Sequence, residues 1–264
     1  MRFPVHAGRG FLGLLFVASV AAVVVACGDG KVEPQGRLLA PDTLSICVDA
    51  PKYPFAFESS TGQWLGSDIE IAQHVADRLD LTLQVKAVPF EGIWRQPSEG
   101  ACDLAVAAIT ITDGRRAEAI LSQSYLDASQ SLLVRAVDAE TYAQLSGLGG
   151  HSIAVKSGTT SEAYAEAHLP AGATLVPYGE TEEMFVALGA GDVDGVVSDL
   201  PLNGYRSTLD SALSVTEIID TGEQYGFAAA IDNPDLIADV NGVLEDYLDS
   251  DEYEELLARW FNIR

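Results

Sequence analysis

Residues 103–116, DLAVAAITITDGRR, constrain this chain more than any other stretch. Residues 104–109 form an unbroken apolar run. Such a run reads as a strand buried on both faces, because sheets covered by helices on either side show continuous rather than alternating hydrophobics. The run then breaks into Thr110, Ile111 and Thr112, the chain turns at Asp113 and Gly114, and Arg115 and Arg116 follow at once. In open α/β sheets, ligands bind beyond the carboxyl ends of the strands. Hydroxyls, backbone N–H groups and a guanidinium fork at a strand end suit a small carboxylate. Taken alone, the same residues also describe a surface turn with two solvated arginines.

The flanking sequence supplies the elements such a strand needs. A short strand at residues 44–48 is followed by a loop that Pro51 and Pro54 are expected to keep extended. Ser67 and Glu70 have capping-box spacing and open a helix whose apolar face is Ile69, Ala72, Val75, Ala76 and Leu79. Leu81, Leu83, Val85 and Ala87 alternate as a second strand, and a short helix over residues 90–96 stops at Pro97. This strand–helix–strand–helix–strand order predicts a parallel, doubly wound α/β sheet. Another apolar run at residues 130–137 leads to a second such series. Its strands are predicted at residues 152–155, 173–176 and 193–198, and its helices at 161–168 and 181–188. Thr159 and Glu162 form a second capping box. Residues 217–230 are expected to run back toward the first series, and helices at 236–248 and 252–261 close the chain.

Composition narrows the function classes. Hydrophobics at 48% over 264 residues suffice for a sizeable core. A formal charge of −24 with no basic cluster argues against nucleic acid and against docking on anionic lipid by charge. His74, His151 and His168 are scattered, so no metal site is expected. No H-E-x-x-H, C-x-x-C or G-x-S-x-G motif is present, and no cofactor is expected. Trp64, Trp94 and Trp260 read as packing residues. Arg2, His6 and Arg9 precede an apolar segment at residues 11–25, too short for a membrane span. Val24, Val25 and Ala26 before Cys27 resemble a lipobox, which implies a lipoprotein signal peptide over residues 1–26, lipidation of Cys27 and a flexible tether over 27–41. Cys47 and Cys102 remain as an even pair in an exported setting. They form either a disulfide or two buried thiols.

In order, the segments PFAF, GSDIEIA, DLAVAAITITDGRR, VKSGTTSEAY, GDVDGVVSDLP and EQYGFA resemble the polar-amino-acid solute-binding proteins of ABC importers. The resemblance spans residues 43–264. It implies a type II periplasmic-binding-protein-like fold: two doubly wound α/β lobes joined by two crossover segments, with the ligand in the cleft. Lobe 1 would comprise residues 42–130 and 225–264, and lobe 2 residues 131–224. It also implies roles for single residues. Arg115 would bind the ligand α-carboxylate, with Thr110 and Thr112 beside it and Thr160 reaching from lobe 2. Asp199 would pair with the α-ammonium. Asp49, Phe90 and Lys156 would line the side-chain pocket, as in glutamine binders. Lys52 departs from the pattern, standing where an aromatic residue is common; facing the cleft, it would favour an acidic ligand. The expected function is a monomeric, membrane-anchored, extracytoplasmic protein that delivers a glutamine-like amino acid to an ABC permease. The alternatives are a cyclohexadienyl-dehydratase-like enzyme on the same fold and an amino-acid sensor subunit.

Overall fold

The computed structural model describes residues 33–262; the expected signal peptide and Cys27 lie outside them. Strand β1 (Thr43–Val48) leads through a hairpin, β2 (Phe57–Glu58) and β3 (Trp64–Leu65), into α1 (Ser67–Arg78), β4 (Thr82–Ala87) and β5 (Leu104–Thr110). One helical turn, α2 (Asp113–Arg116), and two short strands, β6 (Ile120–Leu121) and β7 (Leu126–Asp127), follow. The chain then enters a second sheet along β8 (Gln130–Arg135). It continues through β9 (Ser152–Lys156), α3 (Thr160–Ala167), β10 (Thr174–Tyr178), α4 (Thr181–Ala190), β11 (Gly195–Asp199), α5 (Leu200–Leu209) and β12 (Leu213–Ile219). It returns to the first sheet on β13 (Gln224–Ala229) and ends in α6 (Pro234–Leu248) and α7 (Asp251–Phe261).

The first sheet is ordered β4-β1-β5-β13-β6, with β7 also on β13, and the second is ordered β10-β9-β11-β8-β12. Both are mixed, where a parallel sheet was expected. β1 runs parallel to β4 and β5, and β9 parallel to β10 and β11, but β13 opposes β5 and β8 opposes β11 and β12. The reason is topological. A strand arriving from the other lobe enters its sheet at the end where the parallel strands finish, so it must run against them.

All seven residues of β5 are buried, as the apolar run demanded. A register shift between Gly226 and Ala228 bulges β5 against β13 and leaves Ala108 at φ +49°. That left-handed conformation is uncommon for a residue with a Cβ. Two buried side chains satisfy the backbone beside the bulge: Asp68 Oδ2 accepts from Ala108 N–H at 2.8 Å, and Lys52 Nζ donates to Ala107 O at 3.1 Å. Cys47 on β1 and Cys102, just before the neighbouring β5, are joined in a disulfide.

Three local expectations are corrected. No Ser67–Glu70 capping box forms. The N-cap of α1 is Gly66, and the N–H groups of Ser67 and Asp68 donate instead to Pro54 O and Phe55 O. A Cβ on Gly66 would sit 2.1 Å from Phe55 O, so the close loop both replaces the cap and dictates glycine. The loop with Pro51 and Pro54 is not extended, because Lys52 and Ala56 exchange backbone hydrogen bonds and close it into a tight turn. Part of the expected tether is fastened to the first lobe. Gln35 and Gly36 N–H groups donate to Asp239 Oδ2 at 2.7 and 2.8 Å, and Arg37 N–H donates to Asn233 Oδ1 at 3.0 Å. The second capping box forms in half: Thr159 accepts from Glu162 N–H at 3.1 Å, while the Glu162 carboxylate accepts from Gly158 N–H.

Candidate functional site

The carboxyl ends of β5, β9 and β11 carry Thr110, Lys156 and Asp199, and the first residue after β1 is Asp49. The topology therefore aims strand ends from both sheets at one another. Arg115 lies in the single turn α2, whose N-cap Thr112 accepts the Arg115 N–H at 3.2 Å. Thr112 thus holds this turn with one lone pair of its hydroxyl, whose O–H is still free to donate. The Arg115 side chain is 6% exposed, donates one N–H to Thr110 O at 2.8 Å and stacks 4.6 Å from the Trp94 ring centroid. A guanidinium has five donors, so this one bond leaves most of the fork available in a fixed orientation. Trp94, expected only to pack, holds that orientation, and its own indole N–H donates to Glu118 at 2.6 Å.

From the other lobe, Asp199 faces the same space. It accepts from Gln130 Nε2 at 2.7 Å, from Ser161 Oγ at 3.1 Å and from the Tyr225 hydroxyl. Glu223, in the return crossover, accepts from the same Gln130 amide at 2.6 Å and lies 3.3 Å from Thr160 Oγ1. Thr160 begins α3, where backbone N–H groups and the helix dipole favour an anion. Its hydroxyl meets that of Thr110 at 3.3 Å, linking the lobes. Burial lowers the Arg115 pKa, and Asp199 and Glu223 oppose that shift. Burial and then the neighbouring Asp199 raise Glu223, while its bonds from Gln130 and Thr160 act the other way.

A second inter-lobe contact lies around Phe90. Lys156 Nζ pairs with Asp49 Oδ2 at 2.6 Å, both side chains being almost fully buried. Lys52 Nζ sits 4.7 Å and Lys156 Nζ 5.8 Å from the Phe90 ring centroid. Burial lowers the Lys52 pKa; Asp49 opposes this and Lys156 adds to it. The structure thus brings Arg115, Thr110, Thr160 and Asp199 together, and sets Asp49, Phe90, Lys156 and Lys52 beside them, with Arg115 Cζ 5.5 Å from the Phe90 ring centroid. Gln130, Glu223, Ser161 and Tyr225 were not singled out from sequence. Glu223 and Tyr225 lie inside the EQYGFA segment, and Gln130 is the polar residue that opens an apolar run, so each left a faint signal. A separate groove of about 610 Å³ is lined by Tyr125, Leu200 and Tyr205 among others. It contains Asp127 but no cation, so it lacks the paired charges of the strand-end site.

Opposed charges from the two lobes thus face one another at the strand ends. The bacterial extracellular solute-binding proteins of family 3 match residues 44–263, and the chain belongs to that family. Among curated relatives, the ABC transporter glutamine-binding protein GlnH of Bacillus subtilis is 27% identical over 93% of this chain and 95% of its own. The L-cystine-binding protein TcyJ of Escherichia coli is 25% identical over 97% and 96%. Among solved structures, a Streptococcus pneumoniae amino acid ABC transporter substrate-binding protein bound to L-arginine superposes with a TM-score of 0.78 at 28% identity, covering 84% of this chain and 95% of that one. An ancestral amino acid-binding protein described as a precursor of cyclohexadienyl dehydratase gives 0.77 at 29% identity, covering 83% and 95%.

Proposed function

We propose that this protein is an extracytoplasmic receptor, lipid-anchored through Cys27, that captures a free polar amino acid by lobe closure and delivers it to an ABC permease as a monomer. The observation that carries the reading is that Asp199 on one lobe lies near enough to act on the Arg115 charge of the other, beside the Thr110–Thr160 contact at 3.3 Å. A zwitterion leaves water at a cost of several kcal/mol per charge, to order of magnitude, unless each charge is met and hydrogen-bonded. Arg115 offers parallel donors to the α-carboxylate, supported by the start of α3. Asp199 and Glu223 accept from the α-ammonium. Neither lobe alone meets both charges, so the ligand favours the closed form. At the distal end, Asp49 and Lys156, taken as a pair, offer one acceptor and one donor, which suits a glutamine-like amide.

Titration calorimetry with the twenty amino acids tests this. Arg115→Ala and Asp199→Ala are each expected to weaken binding by about 100-fold or more, since each strands a buried charge. Wild-type affinity in either variant would place the cleft elsewhere. The likeness to a dehydratase precursor favours one rival, an enzyme acting on cyclic amino acid precursors. Incubation with arogenate or prephenate is expected to give no product, and turnover would replace transport with catalysis.

A further inference from the structure

Resting on that reading, we infer that the distal end of the cleft selects a dicarboxylic amino acid, with Lys52 as the residue that sets the preference. Three cations gather around Phe90: Lys52 Nζ at 4.7 Å, Arg115 Cζ at 5.5 Å and Lys156 Nζ at 5.8 Å from its centroid. Two are already accounted for. Arg115 serves the α-carboxylate end, and Asp49 neutralises Lys156 at 2.6 Å. Lys52 has no such partner. Its side chain is 5% exposed, and its hydrogen bond goes to the neutral Ala107 carbonyl at 3.1 Å. No carboxylate of the described residues lies within ion-pairing distance of it. Asp68 spends its hydrogen bonds on Ala108 N–H and the Tyr125 hydroxyl, both at 2.8 Å, and acts on Lys52 only as a more distant charge.

The distal end therefore holds two ammonium groups, Lys52 and Lys156, and one acid in direct ion pairing, Asp49 on Lys156, while Asp199 and Asp68 act on Lys52 only at longer range. A buried ion without a counter-charge is costly, and an ammonium has three donors to satisfy. A ligand amide brings one carbonyl acceptor and no charge. A ligand carboxylate brings two charged oxygens, gives Lys52 the direct ion pair it lacks, and bridges Lys52 and Lys156. A guanidinium or second ammonium adds a like charge beside two ammonium groups that already face Phe90. The glutamine-like reading follows from Asp49 and Lys156 alone; counting Lys52 moves the preference to glutamate or aspartate and turns basic amino acids away. Desolvation of Lys52 acts in the same direction, because an incoming carboxylate restores the stability of its charged form.

The test is calorimetry on the full chain with L-glutamate, L-aspartate, L-glutamine and L-arginine, for the wild type and for Lys52→Met. The wild type is expected to bind an acidic amino acid roughly tenfold or more tighter than glutamine, with arginine weaker still. Lys52→Met is expected to lose about tenfold or more for the acidic ligand and about threefold or less for glutamine. A wild type that binds glutamine or arginine best overturns the inference and leaves the binding-protein reading standing. An unchanged glutamate-to-glutamine ratio in Lys52→Met also overturns it. A chain that binds none of these four, and none of the other amino acids when the panel is extended to all twenty, overturns both readings. The wild-type panel decides even if the variant does not fold.

Discussion

Asp68 carries a stability cost that depends on pH. Burial pushes its pKa up from 3.8 to about 6, and the bond from Tyr125, the Lys52 charge and the bond from Ala108 only partly offset that. A group that binds its proton more tightly when folded stabilises the fold while protonated. That contribution is fully present below the unfolded value of 3.8 and is lost as pH rises through about 6. At about 1.4 kcal/mol per pH unit of displacement, it amounts to about 3 kcal/mol. Urea unfolding of wild type and Asp68→Asn between pH 4 and 7 is expected to show the wild type losing this extra stability as pH rises, and the variant losing less. Parallel curves would refute the assignment. At this scale the sequence was uneven. Arg115 and Asp199 were named from the resemblance, and the fold brings them close enough for Asp199 to act on Arg115. Gln130 and Glu223 were not, because their weight comes from meeting each other across two crossovers 93 residues apart.

Elements were easier to place than the contacts that finish them. The strand–helix alternation was readable because burial imposes its periods of 2 and 3.6 on apolar residues. The start of α1 was read with the wrong cap, since Ser67 and Glu70 have the right spacing but the carbonyls of Pro54 and Phe55 already occupy the helix end. That substitution places a firm demand on Gly66, at φ +124° and against Phe55 O. Gly66→Ala is expected to destabilise the protein by about 2–3 kcal/mol, combining backbone strain with a displaced loop. A loss below about 0.5 kcal/mol in denaturant midpoints would show that the loop yields freely. The Cys47–Cys102 disulfide closes a span of 55 residues. Chain entropy assigns it about 4 kcal/mol, the loss expected for the paired Cys47→Ala and Cys102→Ala exchange. The sequence paired the cysteines only conditionally; the adjacency of β1 and β5 brings them together.

For the molecule as a whole, the buried Asp49–Lys156 pair at 2.6 Å joins the lobes where they close. Removing one member leaves a charge stranded in the closed form but hydrated in the open one, a difference of about 3–5 kcal/mol against closure. Lys156→Met is therefore expected to have a larger radius of gyration than the wild type by small-angle scattering, with saturating ligand narrowing the gap. Equal radii would show that closure does not depend on the pair. The two-lobed plan was legible from the order of six segments, whereas the antiparallel crossovers were not, because direction within a sheet leaves no mark on local pattern. Those crossovers also bear on how the polypeptide matures. One sheet is built from a continuous stretch and can finish early, but the other keeps a bare edge on β5 until β13 is made. During synthesis and export, that apolar edge is a template for wrong partners, and the last forty residues are what retire it.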